Sequence, residues 1–311
     1  MLNIEEEYRP LEKYYRTYTW MLKRRFGKRV VRISVDGGFS CPNRDGKKGS
    51  GGCIFCSNRS FSPVSGTEMT IEAQIRSVWE NLKHAEKYAG FISYFQPHTN
   101  TYAPVERLRE LYSRATKEEG CIGLAVGTRP DCVGEDVLDL LEEINRDKFV
   151  TVELGVQSVY DKSLEWLERR HTFSDFEDAA ERIKRRGLAL AVHMILGIPG
   201  ETKEMMLEGA EKISDYPIDI IKIHQLQVVR NTRLEKMYRE NPYPIWDVEE
   251  YSDFITDYIE RLRDGIYIQR LFSRVIYGET VAPDWNRRNL IDLINLKLEA
   301  KDVRQGSKYR K

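Results

Sequence analysis

The chain has 311 residues, 41% hydrophobic and 32% charged, a composition that suits one large globular domain or one domain with extensions at its ends. Its 49 basic and 49 acidic residues give zero formal net charge, which excludes a globally basic nucleic-acid-binding protein, so any such surface must be local. The acidic start at residues 5–7 and the lack of a long apolar run argue against a secretory signal and a membrane span, so we expect a cytoplasmic protein without a membrane partner.

Short apolar runs alternate with longer amphipathic stretches along the chain. Six runs have the β-branched and aromatic content of buried parallel strands: 30–35, 90–95, 122–126, 150–154, 188–196 and 218–223. Between them, the pattern predicts helices over 71–88, 105–117, 134–145, 173–186 and 203–215. Six strand–helix units predict a parallel α/β fold, and periodicity alone suits a partial barrel and a doubly wound sheet equally. In either fold, functional residues follow the carboxyl ends of the strands.

The two ends of the chain differ from this pattern. Residues 13–32 contain eight Lys or Arg and no acid, interleaved with Tyr, Trp and Phe, and residues 301–311 contain five cations and one acid. Cations neutralise phosphates and aromatic rings stack on unpaired bases, so we interpret these ends as an RNA-binding surface. The alternative for residues 13–32 is a solvated amphipathic helix. A further strand is expected over 266–272.

Three of the five cysteines follow the first predicted strand. Cys41, Cys53 and Cys56 form the pattern Cys-x11-Cys-x2-Cys, with four glycines between the first two. An electron-transfer iron–sulfur cluster takes four protein ligands, whereas three thiolates leave one iron open to a small molecule. The alternatives are a structural zinc site with His98 or another cysteine as its fourth ligand, unrelated buried cysteines, and a phosphate loop, although the loop lacks a Gly-Lys-Ser/Thr ending.

Further motifs follow the later strands in a fixed order: Tyr94-Phe95-Gln96, residues 127–132, residues 153–160, residues 169–172 and residues 193–201. With the cysteines, they resemble the radical S-adenosylmethionine (SAM) superfamily, in the branch of the Elongator catalytic subunit and its smaller bacterial relatives. The resemblance covers roughly residues 28–240 and implies a partial (β/α)6 TIM-like barrel. Residues 1–27 would then be a basic and aromatic N-terminal extension, and residues 241–311 a C-terminal extension too short for the Elongator acetyltransferase domain.

The resemblance also implies roles for single residues. The three cysteines would hold a [4Fe–4S] cluster, and SAM would bind at its open iron. The implied SAM-binding residues are Tyr94, Phe95, Gln96, Gln157, Arg169, Gly197, Ile198 and Gly200. The alternatives are ordinary: Gln157 is a satisfied interior polar residue, Arg169 is a solvated helix-end cation with Arg170 as its competitor, and Glu201 begins the next helix.

Several polar residues at strand ends are candidates for the substrate side. The catalytic candidates are Arg129, Glu153, His193 and His224, with Asp131 and His171 as further possibilities. Their alternative is a hydrogen-bonded place in the core. Of the two other cysteines, we expect Cys121 to be an apolar strand residue, whereas Cys132 follows a strand near the expected substrate position.

The small bacterial relatives are connected with wobble-uridine modification in transfer RNA. The resemblance therefore implies a radical SAM enzyme that generates a 5′-deoxyadenosyl radical and acts on a side chain of the carboxymethylaminomethyluridine type. Its expected partners are tRNA and a one-electron donor such as flavodoxin or ferredoxin. Two alternatives stay open: a radical SAM enzyme acting on a small metabolite or a protein, and a zinc-stabilised RNA-binding module without catalysis.

Overall fold

Seven parallel strands form the central sheet of the protein. The computed structural model describes residues 12–57, 62, 64–273, 278–285 and 287–310. Residues 1–11 of the predicted N-terminal extension and Lys311 of the basic tail lie outside the described residues. The sheet curls into a half-barrel. Its strands in spatial order are β1 (Arg29–Val35), β2 (Tyr88–Phe95), β3 (Cys121–Thr128), β4 (Phe149–Gln157), β5 (Ala189–Leu196), β6 (Ile220–Gln225) and β8 (Tyr267–Arg270).

Helices connect the strands and cover the sheet. In chain order they are α1 (Tyr18–Phe26), α2 (Ile71–Trp79), α3 (Val105–Thr116), α4 (Glu135–Asn145), α5 (Asp161–Trp166), α6 (Phe173–Arg185), α7 (Lys203–Ser214), α8 (Arg233–Glu240), α9 (Val248–Arg261) and α10 (Arg287–Ala300). Two short strands, β7 (Val228–Val229) and β9 (Thr280–Ala282), pair antiparallel outside the main sheet. No helix of the described residues combines the length and the apolar character needed to cross a membrane.

Alternate strand residues face two different apolar clusters. On β2, Phe91 and Phe95 belong to the large outer core with Leu108 of α3, because successive side chains of a strand point to opposite faces. Ile92 and Tyr94 belong to a smaller inner cluster. The inner face therefore has its own packing, which α1 supplies.

Helix α1 packs against the inner face of the sheet. Thr17 caps its first turn by accepting a hydrogen bond from the backbone N–H of Trp20, and Gly27 ends it at φ 77°, a conformation that glycine adopts without strain. Tyr18 and Leu22 of α1 are buried among the inner-face residues of the strands. The helix thus fills the inside of the half-barrel.

This packing removes three aromatic rings from the predicted RNA-binding surface of residues 13–32, and RNA binding by its exposed cations stays a prediction. Tyr14, Tyr15 and Tyr18 are buried, so their rings are not available to bases, and Arg32 lies on β1 in a buried ion pair. The basic tail is also neutralised in part, because Lys301, Arg304 and Lys308 each form an ion pair with an acidic side chain. Amphipathic periodicity cannot distinguish a helix that lies in a barrel from one that faces solvent.

The predicted parallel α/β fold with a partial barrel is confirmed. All six predicted strands are present, and the strand expected over 266–272 joins the same sheet beside β6 as β8. The predicted helix over 71–88 was wrong at its end, because α2 stops at Trp79 and β2 begins at Tyr88. His84 adopts φ 60°, which ends helical geometry, and most residues from 80 to 87 are exposed and give no apolar face to bury.

Candidate active site

One cavity at the carboxyl ends of the strands brings together most of the predicted site residues. Its volume is about 140 Å³. The three predicted cluster ligands lie on its wall, with residues from the ends of β2 to β5. The predicted residues that line it are Cys41, Cys53, Cys56, Tyr94, Gln96, His98, Arg129, Glu153, Gln157, Arg169 and His193. Parallel strands place their carboxyl ends at one edge, which explains how residues more than 150 positions apart meet here.

Other predicted residues lie elsewhere. The side chain of Phe95 packs edge-on against Phe39 and Tyr112, in the outer core. The glycine-rich loop after β5 lines a second cavity of about 310 Å³, whose other wall includes Tyr243, Trp246 and Trp285 of the C-terminal segment. The predicted residues of this loop that line the second cavity are Gly197, Ile198, Gly200 and Glu201. Cys121 is buried on β3, as expected, and Cys132 lines an open cleft of about 990 Å³ beside the cysteine loop.

The cysteine loop is held by backbone hydrogen bonds at both ends. The carbonyl of Cys41 accepts from the N–H groups of Arg44 and Asp45, and the carbonyl of Cys53 accepts from Cys56. The backbone N–H of Ile54 donates to the carbonyl of Leu167, which ties this loop to the segment after α5. The loop therefore has a defined conformation in spite of its four glycines.

Hydrogen-bond donors surround the buried thiol of Cys53. Asn43 Nδ2 lies 3.4 Å from Cys53 Sγ, and Arg169 Nη1 lies 3.3 Å from the same atom. Burial and the neighbouring Cys53 raise the pKa of the Cys56 thiol to about 11. N–H donors stabilise thiolates and cluster sulfurs, so the donor set suits an iron–sulfur cluster. Sequence reasoning missed Asn43, since nothing in its spacing distinguishes it from an ordinary turn residue.

Single-ion metal sites were not found among the described residues. In those ranges, no group of three or more His, Cys, Asp or Glu could hold one ion, although His98 lines the same cavity as the cysteines. A structural zinc needs its ligands at one tetrahedral centre. The thiolates of a [4Fe–4S] cluster bind different irons, and three cysteines on the wall of one cavity are compatible with that arrangement.

Arg169 is buried and directed into the cavity, so the alternative of a solvated helix-end cation was wrong. Helix α5 ends at Trp166, and the following loop turns Arg169 inward with an exposed fraction of 7%. Its Nη2 donates to the carbonyl of Gly155 over 2.6 Å, and its Nε lies 3.2 Å from His171 Nε2. Burial and Arg169 lower the pKa of His171 to about 3, so its imidazole is neutral at pH 7. The competitor Arg170 is exposed and contacts Lys48.

The two predicted glutamines lie at the carboxyl ends of β2 and β4. Gln96 follows β2, and its Oε1 accepts a hydrogen bond from Ser34 Oγ over 2.9 Å. Gln157 is the last residue of β4 and has φ 75°, an uncommon conformation for a side chain other than glycine. Backbone strain of this kind is frequent at binding sites. Gly155 leaves the space that Gln157 and Arg169 occupy, because a Cβ there would lie 2.8 Å from Gln157 Nε2.

A buried ionic cluster forms the floor of the cavity. Glu153 Oε1 accepts from Arg32 Nη2 over 2.6 Å, and Glu153 Oε2 lies 2.9 Å from His193 Nε2 and 3.8 Å from Lys222 Nζ. Lys222 Nζ also lies 3.3 Å from the hydroxyl of Tyr94. Sequence reasoning missed Arg32 and Lys222, whose inward orientation depends on the register of β1 and β6.

These contacts set the charges of the cluster. Although burial opposes ionisation, Arg32 and Lys222 hold the pKa of Glu153 well below its usual range. Burial lowers the pKa of Lys222 to about 7, and burial with the nearby Lys222 lowers that of His193 to about 4. His224 lies behind His193, with ring centroids 5.5 Å apart and its Nδ1 against Ser273. The floor thus has an anionic carboxylate, a neutral imidazole and two basic side chains.

Arg129 occupies the cavity wall beside the cysteine loop. Its Nε lies 2.8 Å from Asp131 Oδ1, and Asp131 also pairs with Lys48. Although burial acts to raise it, the pKa of Asp131 is lowered to about 2 by Arg129. This ion pair links the end of β3 to the cysteine loop and supports a structural role for Asp131.

Known proteins resemble the chain over its whole length. It is 31% identical to the uncharacterized protein YtqA of Bacillus subtilis, covering 100% of this chain and 98% of YtqA. It is 35% identical to the uncharacterized protein MJ0486 of Methanocaldococcus jannaschii, covering 94% and 91%. A more distant relative is the tRNA uridine(34) acetyltransferase of the same archaeon, 28% identical over 57% of this chain and only 29% of that protein.

The fold is also that of a solved structure. The Elp3 structure of Methanocaldococcus infernus superposes with a TM-score of 0.69 at 20% sequence identity, covering 89% of this chain and 64% of Elp3. Two family descriptions match the sequence: the Radical SAM superfamily over residues 45–213, and the Radical SAM C-terminal domain over residues 218–300. With three cysteines on the wall of its central cavity, the chain belongs to the radical SAM superfamily, whose enzymes use a [4Fe–4S] cluster and SAM.

Proposed function

We propose that this radical SAM enzyme modifies the side chain of a wobble uridine in tRNA, with its cluster on Cys41, Cys53 and Cys56. The observation that carries the proposal is the 140 Å³ cavity, which the three thiols share with the SAM-binding candidates Gln96 and Gln157. A cluster held by these cysteines, with SAM and one electron from a donor, would supply the radical chemistry for removing a hydrogen atom from the substrate. The substrate side chain is of the carboxymethylaminomethyluridine type.

The chain's own residues orient SAM in this proposal. Arg169 offers a guanidinium, already fixed by Gly155 and His171, for the SAM carboxylate. Gln96 accepts from the SAM amino group beside the backbone carbonyls of Tyr94 and Phe95, and Gln157 contacts the ribose or carboxylate. Gly197, Ile198 and Gly200 allow the adenine to approach the loop after β5. These three residues line the second cavity, so this part of the proposal needs SAM to reach the loop from the cavity of the cysteines.

The residues around the cysteine loop support a polyanionic substrate. Arg44, Lys47, Lys48 and Arg170 are exposed there, although the whole chain has zero net charge. Exposed cations of this kind neutralise backbone phosphates. The similarity to a tRNA uridine(34) acetyltransferase over 57% of this chain supports the same substrate class. A one-electron donor such as flavodoxin or ferredoxin completes the proposal.

The cluster and its chemistry are tested first. Anaerobically prepared protein should contain about four irons per chain and should convert SAM to 5′-deoxyadenosine when reduced. Cys41→Ser, Cys53→Ser and Cys56→Ser should each lose iron and SAM cleavage. Cys121→Ser and Cys132→Ser are matched controls outside this cavity and should keep both. Iron retained in all three ligand variants would overturn the assignment of the cluster.

The substrate is tested separately in cells. Nucleosides from tRNA of a deletion strain should show an accumulated wobble-uridine precursor by mass spectrometry, and the wild-type gene should restore the product. The Cys53→Ser gene should fail to restore it, because it lacks the cluster. An unchanged nucleoside profile in the deletion strain would remove tRNA as the substrate while leaving SAM cleavage intact.

A further inference from the structure

Asn43 connects the cysteine loop to the segment that carries Arg169. It follows Cys41 by two residues and is completely buried. Its Nδ2 lies 3.0 Å from the carbonyl oxygen of Glu168, 3.1 Å from that of Arg169 and 3.4 Å from Cys53 Sγ. Its own backbone carbonyl accepts from the N–H of Gly52 over 2.8 Å. One side chain thus meets both segments that frame Cys53.

The orientation of this amide is fixed by its surroundings. An amide has two N–H donors on nitrogen and an acceptor oxygen, and the correct assignment follows from the hydrogen-bond network. Around Nδ2 there are two carbonyl oxygens and one sulfur, all of them acceptors. A flipped amide would direct its oxygen at these acceptors, so Nδ2 must face Cys53.

We propose that Asn43 is a positioning residue that donates a hydrogen bond to Cys53 Sγ and thereby raises the reduction potential of the cluster. The inference rests on the cluster assignment of the proposed function. Reduction adds one negative charge, part of which falls on the sulfur ligands, and an N–H donor stabilises that charge. Hydrogen bonds to sulfur and exclusion of solvent are main determinants of cluster potentials.

The second donor to Cys53 is Arg169, in the loop after α5. Arg169 Nη1 lies 3.3 Å from the sulfur, while its Nη2 and Nε are engaged by Gly155 and His171. Cys53 Sγ thus lies within hydrogen-bond distance of two donors, an amide and a guanidinium. Arg169 is also proposed to bind SAM, so its replacement would alter both properties. Asn43 also supports the Arg169 backbone, so the SAM dissociation constant of an Asn43 variant must be measured beside its potential.

The chain offers a matched control in Asn100. It is equally buried, its Nδ2 donates to the carbonyl of Gly127 over 2.7 Å, and its Oδ1, like that of Asn43, has no partner among the described residues. Among the described residues, Asn100 forms no hydrogen bond with a cysteine. Replacing either asparagine therefore removes a similar buried amide, but only Asn43→Ala removes a donor to sulfur.

The experiment is a redox titration of the holoenzyme followed by electron paramagnetic resonance. Asn43→Ala should shift the midpoint potential of the cluster to a more negative value, and Asn100→Ala should leave it at the wild-type value. Iron content and the SAM dissociation constant are measured on the same samples. An unshifted midpoint in Asn43→Ala with full iron content would overturn the proposal, as would an equal shift in both variants.

A second measurement covers the case in which Asn43→Ala loses its cluster. In reduced wild-type enzyme grown with ¹⁵N-asparagine, pulsed resonance should detect a weak coupling between the cluster and a side-chain amide nitrogen. Absence of this coupling would contradict a hydrogen bond from Asn43. Neither readout uses tRNA, so a failure here is distinct from a failure of the substrate proposal, and a protein without iron would refute the cluster itself.

Discussion

Arg32 of β1 and Glu153 of β4 form an ion pair inside the half-barrel, with Nη2 and Oε1 2.6 Å apart. The carboxylate is 1% exposed, and Lys222 Nζ lies 3.8 Å from its other oxygen. The energy of such a group depends on its partners, because a buried charge without a counter-charge is costly. The two cations next to Glu153 therefore depend on a single carboxylate.

Replacing that carboxylate should destabilise the protein strongly. Glu153→Gln leaves the guanidinium of Arg32 buried without its counter-charge, and we expect a loss of about 3–5 kcal/mol in the free energy of unfolding. Urea denaturation measures it. The control is Glu143→Gln, which removes an ion pair with Arg109 whose side chains are half exposed and should cost at most about 1 kcal/mol. Equal losses in the two variants would contradict the burial of the cluster.

Two buried histidines should make stability depend on pH below neutrality. The folded pKa values of His193 and His171 are lowered to about 4 and about 3, below the usual 6.5. Between these values the unfolded chain binds more protons, so the free energy of unfolding falls as the pH decreases from 6.5 towards 4. The slope is about 1.4 kcal/mol per pH unit for each histidine. Above pH 6.5 the imidazoles are neutral in both states, so they no longer change the free energy of unfolding.

Histidine variants test this slope. Urea denaturation at several pH values should show a smaller slope for His171→Gln, because glutamine can accept the hydrogen bond of Arg169 without titrating. His84→Gln is the control, since the side chain of His84 is 67% exposed and should not affect the slope. An unchanged slope in His171→Gln would mean that folding does not lower the pKa of this imidazole.

The fold and the cysteine site were predictable because both depend on local pattern. Apolar runs identified the first six strands of the seven-stranded sheet, and three thiols after the first strand indicated an open cluster site at the sheet edge. Arg32 shows the limit of such reasoning. It belongs to a run of cations in the sequence, yet the alternation of β1 turns it inward, towards Glu153. A partner 121 residues away has no signal in local pattern.

The SAM candidates show a similar limit. The resemblance indicated Gln157 and Arg169, and the structure brings both into the cavity, but their roles stay predictions. It did not indicate Asn43, whose importance depends on contacts with residues more than 120 positions later. Gly155 is explained only in three dimensions, since it leaves room for two side chains.

Gly155 should therefore control the affinity for SAM. A Cβ at this position would lie 2.8 Å from Gln157 Nε2 and 3.1 Å from Arg169 Nη2, so Gly155→Ala displaces both side chains. If both bind SAM, its dissociation constant should increase about tenfold, equivalent to about 1.4 kcal/mol. Equilibrium dialysis measures this. Gly209→Ala on α7, where a Cβ makes only an ordinary contact with Val159, is the control. Unchanged affinity in Gly155→Ala would argue against these SAM contacts.

The location of the tRNA surface gives the last prediction. Lys47 of the cysteine loop and Arg24 of α1 are both exposed cations over an aromatic ring, at 5.3 Å from Tyr102 and 4.6 Å from Trp20. Only Lys47 belongs to the loop that carries the predicted cluster ligands. Lys47→Glu should weaken tRNA binding and reduce the salt dependence by about one phosphate contact, whereas Arg24→Glu should change neither.

Filter binding with tRNA over a range of salt concentrations measures both effects. Both substitutions replace one cation by a glutamate, so they change the total charge equally, and both leave the ionic cluster intact. A difference in tRNA binding between them therefore reports the location of the phosphate backbone. If Arg24→Glu weakens binding and Lys47→Glu does not, the RNA surface lies on α1 and the tRNA would have to reach the cavity from there. That result would restore the original interpretation of the basic N-terminal segment.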